Sequence, residues 1–589
     1  MAEKIRNLPP PPSHTPFQGL YPSHQARAIG PATGLVNPYR LFSLFFSQQK
    51  LEILAKHPNM YASIHDAGLR DARHPLVRKW YPTTVSELQI FLAILIHLGL
   101  LRGASPKIFW RPVRGVVPEP MCRMRYIRFQ QLKRYLHISE PLKTSIPAQE
   151  WWKKLEPLNS SLRKCSKDCF LPSTNVAIDE MMICFQGRSA HTIKMPNKPI
   201  SVGYKILALC DAGYTFDWEL TSRITSFASS KQKKKPYPLS PTFSAVLQML
   251  TTLPYRTHFF TAYMDNYFSN IRLFACLLDY GIGACGTVRC SSKDFPPCLN
   301  VNKNKAASML EWNYATGVIV REIVDSAKKP KGSQPPEPNR WGIPPVMAFL
   351  WQDNNTVHLL STVHDLEKSS SWVEKLRRKP RETSTNAAAA RKPFSEREHR
   401  KLLFIPKIDD DYNRYMGSVD IADRLRSCFS TQRVARRSWQ PFFYWLLDTA
   451  IINSYWLART NGSSTTHRQF RSSLTTMLLT AGHKSSFPKP KFTFLYRSRS
   501  KYRLRNPVRQ SYITKNSLKP EPVGEGGTLR GHVLVRRTTR AWCLWCHWRR
   551  KQGGPEVKIH QVRSQCERCH VPLCHSCFPL YHSVGKSSV

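Results

Sequence analysis

Two periodicities divide the chain. From about residue 39 to 165 apolar residues recur at helical spacing. TTVSELQIFLAILIHLGLL opens with Thr and Ser ahead of a Glu, the pattern of an N-cap before a long apolar face, and MRYIRFQQLKRYLHI sets Phe129, Leu132 and Leu136 on one stripe. Both segments read as ordinary core helices. Near residue 174 the period shortens. TNVAIDEMMICF, GYKILALCDAGYTFDWEL, THFFTAYMDNYF and GIGACGTVR are short apolar or alternating runs separated by Gly, Pro, Asn and Lys clusters, as strands of a buried sheet would be. Helical spacing returns in QPFFYWLLDTAIINSYWLA, residues 440 to 458. A sheet flanked by helices is the expectation.

Between these blocks the pattern lapses. The Pro-rich residues 1 to 38 read as a disordered, extended lead-in. SSKQKKKPYPLSP at 229 to 241 reads as an exposed basic loop, and the polar tract 366 to 401 as an inserted, mobile segment. After the last helical block a basic, aromatic linker leads to a cysteine-rich end. No internal repeat is evident.

Charge narrows the function. The chain has 589 residues and 88 Lys+Arg against 39 Asp+Glu, a formal net charge of +49. Such an excess attracts phosphate backbones and favours salt-sensitive nucleic-acid binding, although charge alone would also suit a ribosomal or membrane-surface protein. At 41% hydrophobic residues the chain can still bury substantial cores. The longest apolar run, IFLAILIHLGLL at 90 to 101, is too short to span a bilayer and carries a histidine, so no membrane partner is expected. The N-terminal residues lack the apolar core of a signal peptide, and a reducing compartment is expected. Ten of the sixteen cysteines are scattered through residues 122 to 428, which suits free thiols.

On so basic a chain the acids stand out. Asp179 lies inside one strand pattern, VAIDEMM, and Asp265 ends another, TAYMDNYF. In GSVDIADRLRSCF, residues 417 to 429, Asp420, Asp423 and Arg424 would share one helix face. A carboxylate beside an apolar strand carries a desolvation cost that a divalent cation or a buried hydrogen bond can compensate. Singly, each aspartate is more readily structural than catalytic. As a set, Asp179, Asp265 and Asp420 have the composition needed to hold two Mg²⁺ or Mn²⁺ ions across a scissile phosphate, but spacing alone does not establish that.

Three segments carry a resemblance. AIDEMMICFQGR followed by MPNKPISVGYKILALCD, then MDNYFSNIRLFACLLDYGIGACGTVR, then YNRYMGSVDIADRLR resemble, in order, the signature blocks of piggyBac-type DNA transposases. The likeness runs from roughly residue 35 to the terminal cysteines. It implies an α/β fold: an RNase H-like catalytic core at 173–290 and 405–430, split by an insertion domain at 291–404 with a mobile basic tract. Helical dimerisation and DNA-binding segments at 39–172 and 431–485 would flank it, followed by a basic linker at 486–540 and a small zinc-binding module at 541–584. It also implies a nuclear homodimer that excises and joins DNA at TTAA sites, with Asp179, Asp265 and Asp420 as the catalytic, Mg²⁺-binding triad and Asp423 as a nearby fourth acid. The third block departs mildly, reading MGSVD where many relatives have two glycines. A domesticated, catalytically silent DNA- or chromatin-binding descendant is the alternative. A purely structural RNA-binding protein would account for the charge but not the acids.

Basic and aromatic groups near these blocks are candidate DNA contacts. Arg433, Arg436 and Arg437 could meet phosphates and Trp439 could stack on an open base, although core packing suits the indole equally well. Arg188, Lys198 and Lys205 lie close in sequence to Asp179. The lysine run at 231 to 235 and KLRRKPR at 375 to 381 suit nuclear import or nonspecific DNA contact, or plain solvation. At the C-terminus, CLWC, CERC and CHSC supply Cys543, Cys546, Cys566, Cys569, Cys574 and Cys577, with His582 following. Each C-x-x-C can give two ligands to a tetrahedral zinc, and two interleaved zincs would draw an eighth ligand from His570, His575 or His547. The piggyBac family often ends in such a domain, there implicated in binding transposon ends.

Overall fold

A computed structural model describes residues 8–64, 80–101, 106–110, 118–141, 148–196, 198–222, 239–292, 294–301, 310–320, 346–384, 387–483, 533–551, 559–567 and 571–583. The lysine run at 231 to 235, most of the 486–540 linker, Cys569 and His570 lie outside these, as does the side chain of His582. The chain divides into two units, residues 1–488 and 489–589.

The first unit begins with helices α1 (Pro38–Phe45), α2 (Val85–Leu100), α3 (Tyr126–Tyr135) and α4 (Leu158–Asp168). Helix α2 starts where its sequence says it should. The Thr84 side chain accepts from the Glu87 N–H at 3.3 Å, and Glu87 accepts from Thr83 Oγ1 at 2.7 Å. Glu87 is buried, and Arg128 of α3 compensates it with two hydrogen bonds at 2.6 and 2.7 Å while its guanidinium lies over Tyr81 and Trp80. Phe129, Leu132 and Leu136 are buried as one stripe. The Pro-rich lead-in differs from expectation, because from residue 8 it lies against the unit. Phe17 N–H donates to Thr362 O at 2.8 Å, and Arg27–Ala28 pairs with Phe170–Leu171. His24 N–H likewise donates to Thr174 Oγ1 at 2.7 Å, so the core supplies acceptors to this segment at separate points.

Among the described residues the centre is a nine-stranded sheet. Strands β1 (Asn175–Cys184), β2 (Ile193–Lys194), β3 (Val202–Asp211) and β4 (Tyr214–Leu220) are antiparallel neighbours. Helix α5 (Pro241–Leu250) then leads to β5 (Phe260–Met264), and α6 (Ile271–Asp279) crosses over to β6 (Ile282–Thr287). β5 lies parallel to both β1 and β6. The order β4-β3-β1-β5-β6, antiparallel then parallel, is the RNase H-like core. β7 (Ala315–Val320), β8 (Val346–Gln352) and β9 (Thr356–Ser361) extend the same sheet, with β9 paired to β6 through Ser361↔Cys285. Residues 315 to 361, expected in a separate insertion, thus belong to the core's own sheet. β8 is buried along its whole length and needs both edges paired, and β6 offers the open edge on which β9 continues the sheet.

The tract 366 to 401 also differs from a loop. β10 (Trp372–Arg378) and β11 (Arg400–Pro406) form a separate two-stranded ribbon. Helix α7 (Lys407–Tyr415) and then α8 (Ser418–Cys428) follow, and α8 packs on β1 and β3. α9 (Gln440–Thr460) is buried at every residue from Gln440 to Ser454, and α10 (His467–His483) returns against α2. A Cβ on Gly482 would lie 2.7 Å from Ser86 O, so α10 meets the start of α2 at a distance only glycine allows. Buried Asp448 of α9 and Arg471 of α10 pair at 3.1 Å. Arg471 also donates to Phe429 O at 2.9 Å, and Asp448 accepts from Thr431 N–H at 3.0 Å. Thus the chain leaving α8 is fixed to both helices.

The second unit carries β12 (Leu534–Trp542), α11 (Leu544–Lys551), β13 (Gln561–Cys566) and α12 (Cys577–Ser583), with β12 antiparallel to β13. β12 begins inside the stretch expected to be linker. Among the described residues no helix is long and apolar enough to cross a membrane, and no cysteine is in a disulfide.

His467 accepts from Arg471 Nε at 2.8 Å, and burial, reinforced by that guanidinium, lowers its pKa to about 3 from an ordinary 6.5. A depressed imidazole contributes stability that is present above the unfolded value and lost as pH falls toward the folded one, at about 1.4 kcal/mol per pH unit. Urea unfolding of the full chain should show this slope between about pH 6 and pH 4. In His467→Gln, which keeps an acceptor for Arg471, the dependence should be flatter by about one proton.

Candidate active site and candidate zinc centre

Parallel pairing of β1 and β5 sets Ile178 opposite Met264, so the next residue on each side is an aspartate, Asp179 and Asp265. Asp179 is 8% exposed, and its Oδ1 accepts from Glu180 N–H at 2.7 Å. Asp265 ends its strand in a tight turn, where its Oδ1 accepts from Tyr267 N–H at 2.9 Å and its carbonyl from Ser269 N–H at 3.0 Å. Gly286 on β6 makes room for that turn, since a Cβ there would lie 2.1 Å from Ser269 Oγ and 2.4 Å from Met264 O.

The third aspartate arrives on α8. Val419 and Ala422 are buried toward the sheet, and the helix is tied down by Arg426, whose Nη2 donates to Met182 O of β1 at 2.9 Å while it pairs with Asp423. Gln432 Nε2 donates to Cys184 O at 2.7 Å. Asp420 stays exposed. Asp423 is therefore held by Arg426, and Arg424 points to solvent.

Electrostatics join the set. Burial first, then the carboxylates of Glu180 and Asp265, push Asp179 up to about 7 despite Lys198. Burial also raises Asp265, helped by Glu180. Burial would lower Lys198, but Glu180, Asp179 and Asp420 together hold it above its ordinary value. Lys198 and Lys205 approach Glu180 at 3.4 and 3.6 Å, and Lys205 Nζ sits 4.4 Å from the Tyr267 ring centre. Glu180 was not singled out in the sequence. Its only signal was adjacency to Asp179, which strand alternation argues against. Its Oε2 is buried and makes no hydrogen bond, its nearest cation being Lys205 Nζ at 3.6 Å. Asp179, Glu180, Asp265 and Asp420 are an oxygen donor set of the kind a divalent cation takes, but no three of them lie within 4.8 Å of one another as the C-terminal thiols do.

The other DNA-contact candidates scatter. Arg188 and Arg436 are exposed. Arg433 is half-buried and donates to Ser430 O at 3.3 Å, while Arg437 bonds His137 at 2.9 Å with its guanidinium over Tyr61. Trp439, the candidate base-stacking group, is 7% exposed with its ring beside His137. Its indole serves the helical core, where its apolar area is worth more than on the surface. In KLRRKPR, Lys375 pairs with Asp410, Arg377 with Asp353 at 2.6 Å, and Lys379 donates to Ser395 O at 2.8 Å.

In the second unit Cys543, Cys546, Cys574 and Cys577 converge with all four sulfurs within 4.8 Å, which among the described residues is the one such group of three or more ligand types. Sulfur separations are 3.7 Å for Cys543–Cys574, 3.8 Å for Cys546–Cys574 and 3.4 Å for Cys546–Cys577. Tetrahedral zinc with Zn–S bonds near 2.3 Å requires sulfur edges of about 3.8 Å, so the cage fits zinc. The first and third C-x-x-C pairs supply it. Cys566 of the middle pair is buried on β13 outside the cage, as are His575, which is exposed, and His547, which lines a surface depression with Trp542 and His560.

A sequence profile described as Transposase IS4 matches residues 37–455, and the chain belongs to that transposase family. Within it the likeness is to piggyBac-type proteins. The chain is 23% identical over 575 residues to the human PiggyBac transposable element-derived protein 3, covering 94% of this chain and 77% of that one. It is 21% identical over 428 residues to the human PiggyBac transposable element-derived protein 2, covering 72% and 62%. The fold matches a piggyBac transposase solved by cryo-EM as a synaptic complex with hairpin DNA, with TM-score 0.60 and 17% identity over 94% of this chain and 100% of that one.

The cage yields a prediction. Cys546→Ser should lower bound zinc by one per chain, read by atomic absorption, and abolish the thiolate charge-transfer band of the Co²⁺-substituted protein. Cys566→Ser should leave the four-sulfur spectrum intact.

Proposed function

We propose that the chain is a piggyBac-like DNA transposase that excises and joins DNA at TTAA sites. One observation carries the reading: β1 and β5 bring Asp179 and Asp265 together from positions 86 residues apart, and α8 adds Asp420 to the field felt by the same lysine. Asp179, Asp265 and Asp420 would hold Mg²⁺ or Mn²⁺, with Glu180 alongside. The bound ions would acidify the attacking hydroxyl and neutralise charge on the leaving oxygen. Asp179 and Asp265 are held by backbone hydrogen bonds, but no three of the carboxylates lie within 4.8 Å of one another, so bound cations would draw the set together. Lys198 and Lys205 steady the acids and lie ready to meet the phosphate backbone. Asp423 acts through Arg426 by holding α8 on β1.

The reaction would proceed by in-line displacements at phosphorus. Water attacks a phosphodiester at the transposon end and frees a 3′-hydroxyl. That hydroxyl attacks the opposite strand to close a hairpin, and after hairpin opening a 3′-hydroxyl attacks the target. Each step forms one P–O bond, breaks another and passes one proton to the leaving oxygen, so one set of carboxylates serves all of them. The protein would work as a nuclear homodimer, with the zinc-stabilised second unit binding transposon-end DNA. The second reading, a domesticated binding protein, is favoured by the names of the human relatives, which mark them as transposable element-derived.

Strand cleavage of DNA from the gene's own flanks, in Mg²⁺ or Mn²⁺, separates the two. Wild type should cut beside TTAA, and Asp179→Asn, Asp265→Asn and Asp420→Asn should each lose cleavage while keeping DNA affinity. Leaving out Mg²⁺ and Mn²⁺, with no chelator that would also strip the thiolate site, should mimic the variants. Tight binding by wild type without cleavage would leave the domesticated reading standing.

A further inference from the structure

The β10–β11 ribbon is turned inside out. Residues paired across an antiparallel ladder share a face. One face carries Val373/Ile405, Lys375/Leu403 and Arg377/Lys401, and the other Trp372/Pro406, Glu374/Phe404, Leu376/Leu402 and Arg378/Arg400. The first face is the more covered: Ile405 is buried, Arg377 is half-buried and pairs with Asp353, and exposed Lys375 reaches Asp410. On the second, Pro406 is buried, but from Phe404 onward the apolar residues are uncovered, Phe404 at 60%, Leu376 at 56% and Leu402 at 55% exposure. An ordinary ribbon at a protein surface would show the reverse.

Two costs accumulate on the outer face. Three large apolar side chains stand together in water. At one end Arg378 and Arg400 are exposed directly opposite each other, and neither is ion-paired among the described residues. Like charges across a strand pair repel. Glu374 is exposed directly opposite Phe404, on the far side of the leucine pair from the arginines. A partner that recovers both costs must offer negative charge to the arginine end and apolar surface to the middle. A second copy of the chain would bring arginine against arginine on a molecule of net charge +49. Duplex DNA meets both needs, with phosphates for the arginines and sugar and base surfaces for the leucines and phenylalanine.

We propose that the ribbon is a minor-groove wedge: Leu376, Leu402 and Phe404 press into the groove, Arg378 and Arg400 bind the flanking phosphates, and the duplex bends away from the wedge. The proposal rests on the reading of the chain as a DNA-handling transposase, and no residue of the carboxylate cluster takes part. Apolar wedges of this kind bend duplexes by about 20–90°. The ribbon can bear the load because its inner face is held by two ion pairs, and Asn313 Nδ2 donates to Phe404 O at 3.0 Å.

The test uses the full chain and a duplex from the gene's flanks carrying a donor and an acceptor dye at its ends. Wild type should bind and raise energy transfer. The triple variant Leu376→Thr, Leu402→Thr, Phe404→Thr keeps strand-forming residues on an exposed face, and should bind without the rise. Arg378→Ala with Arg400→Ala should lower the slope of log K against log salt by about two, as expected for two lost phosphate contacts. If wild type binds and both variants keep its bend and salt slope, the wedge is overturned and the transposase reading survives. If wild type fails to bind any duplex, both fall. If the triple variant changes the sedimentation coefficient from that of a larger assembly to that of a single chain, with affinity and bend intact, the face joins protein copies and the proposal is overturned.

Discussion

The parallel register of β1 against β5 is the constraint on which the site depends. Once Ile178 faces Met264, Asp179 in the middle of β1 is brought beside Asp265 just past the end of β5, and Asp179 loses nearly all its water. Burial first, then the neighbouring carboxylates of Glu180 and Asp265, raise Asp179 by making its charged form costly. The surrounding lysines offset part of that cost. What remains is a local shortage of positive charge on a chain with a large overall excess. This shortage, more than the presence of any one acid, makes a cation site physically reasonable.

Around that register the fold is an anchoring device. α8 carries Asp420, and its place is set by Arg426 on a β1 carbonyl and by the Asp448–Arg471 pair that fixes the chain beyond it. A buried ion pair is poor evidence of net stability, because desolvation consumes most of the Coulombic gain. Its role here is specificity: only one placement of α9 and α10 satisfies Phe429, Thr431 and Asp448 together. Those helices in turn close on α2, so residues before and after the sheet form one helical layer.

The second unit obeys a different economy. Among its described residues six buried hydrophobic or cysteine side chains form its centre, and four converging thiols provide a ligand cage where a larger domain would use leucines. The ribbon's outward apolar face fits neither economy, which is why its explanation is sought in a partner rather than in folding.

The element types of this protein were written in its sequence. The long, near-continuous apolar runs at 85–100 and 440–460 and the short runs around Asp179, Asp265 and Cys285 left little freedom, since each is buried on one or more faces and its backbone must pair accordingly. The aspartates were legible through three linear blocks, and the thiols of the cage through C-x-x-C spacing. Tertiary structure alone decided what depends on long-range pairing. Residues 315–361 join the core sheet because β6 has an open edge. Trp439 turns inward because the helical layer has room for it. Cys543 and Cys546 choose the third C-x-x-C pair over the second, and Glu180 turns toward the lysines. Local spacing specifies which face of an element is apolar, but what covers that face is settled only by the free energy of all the elements packed together.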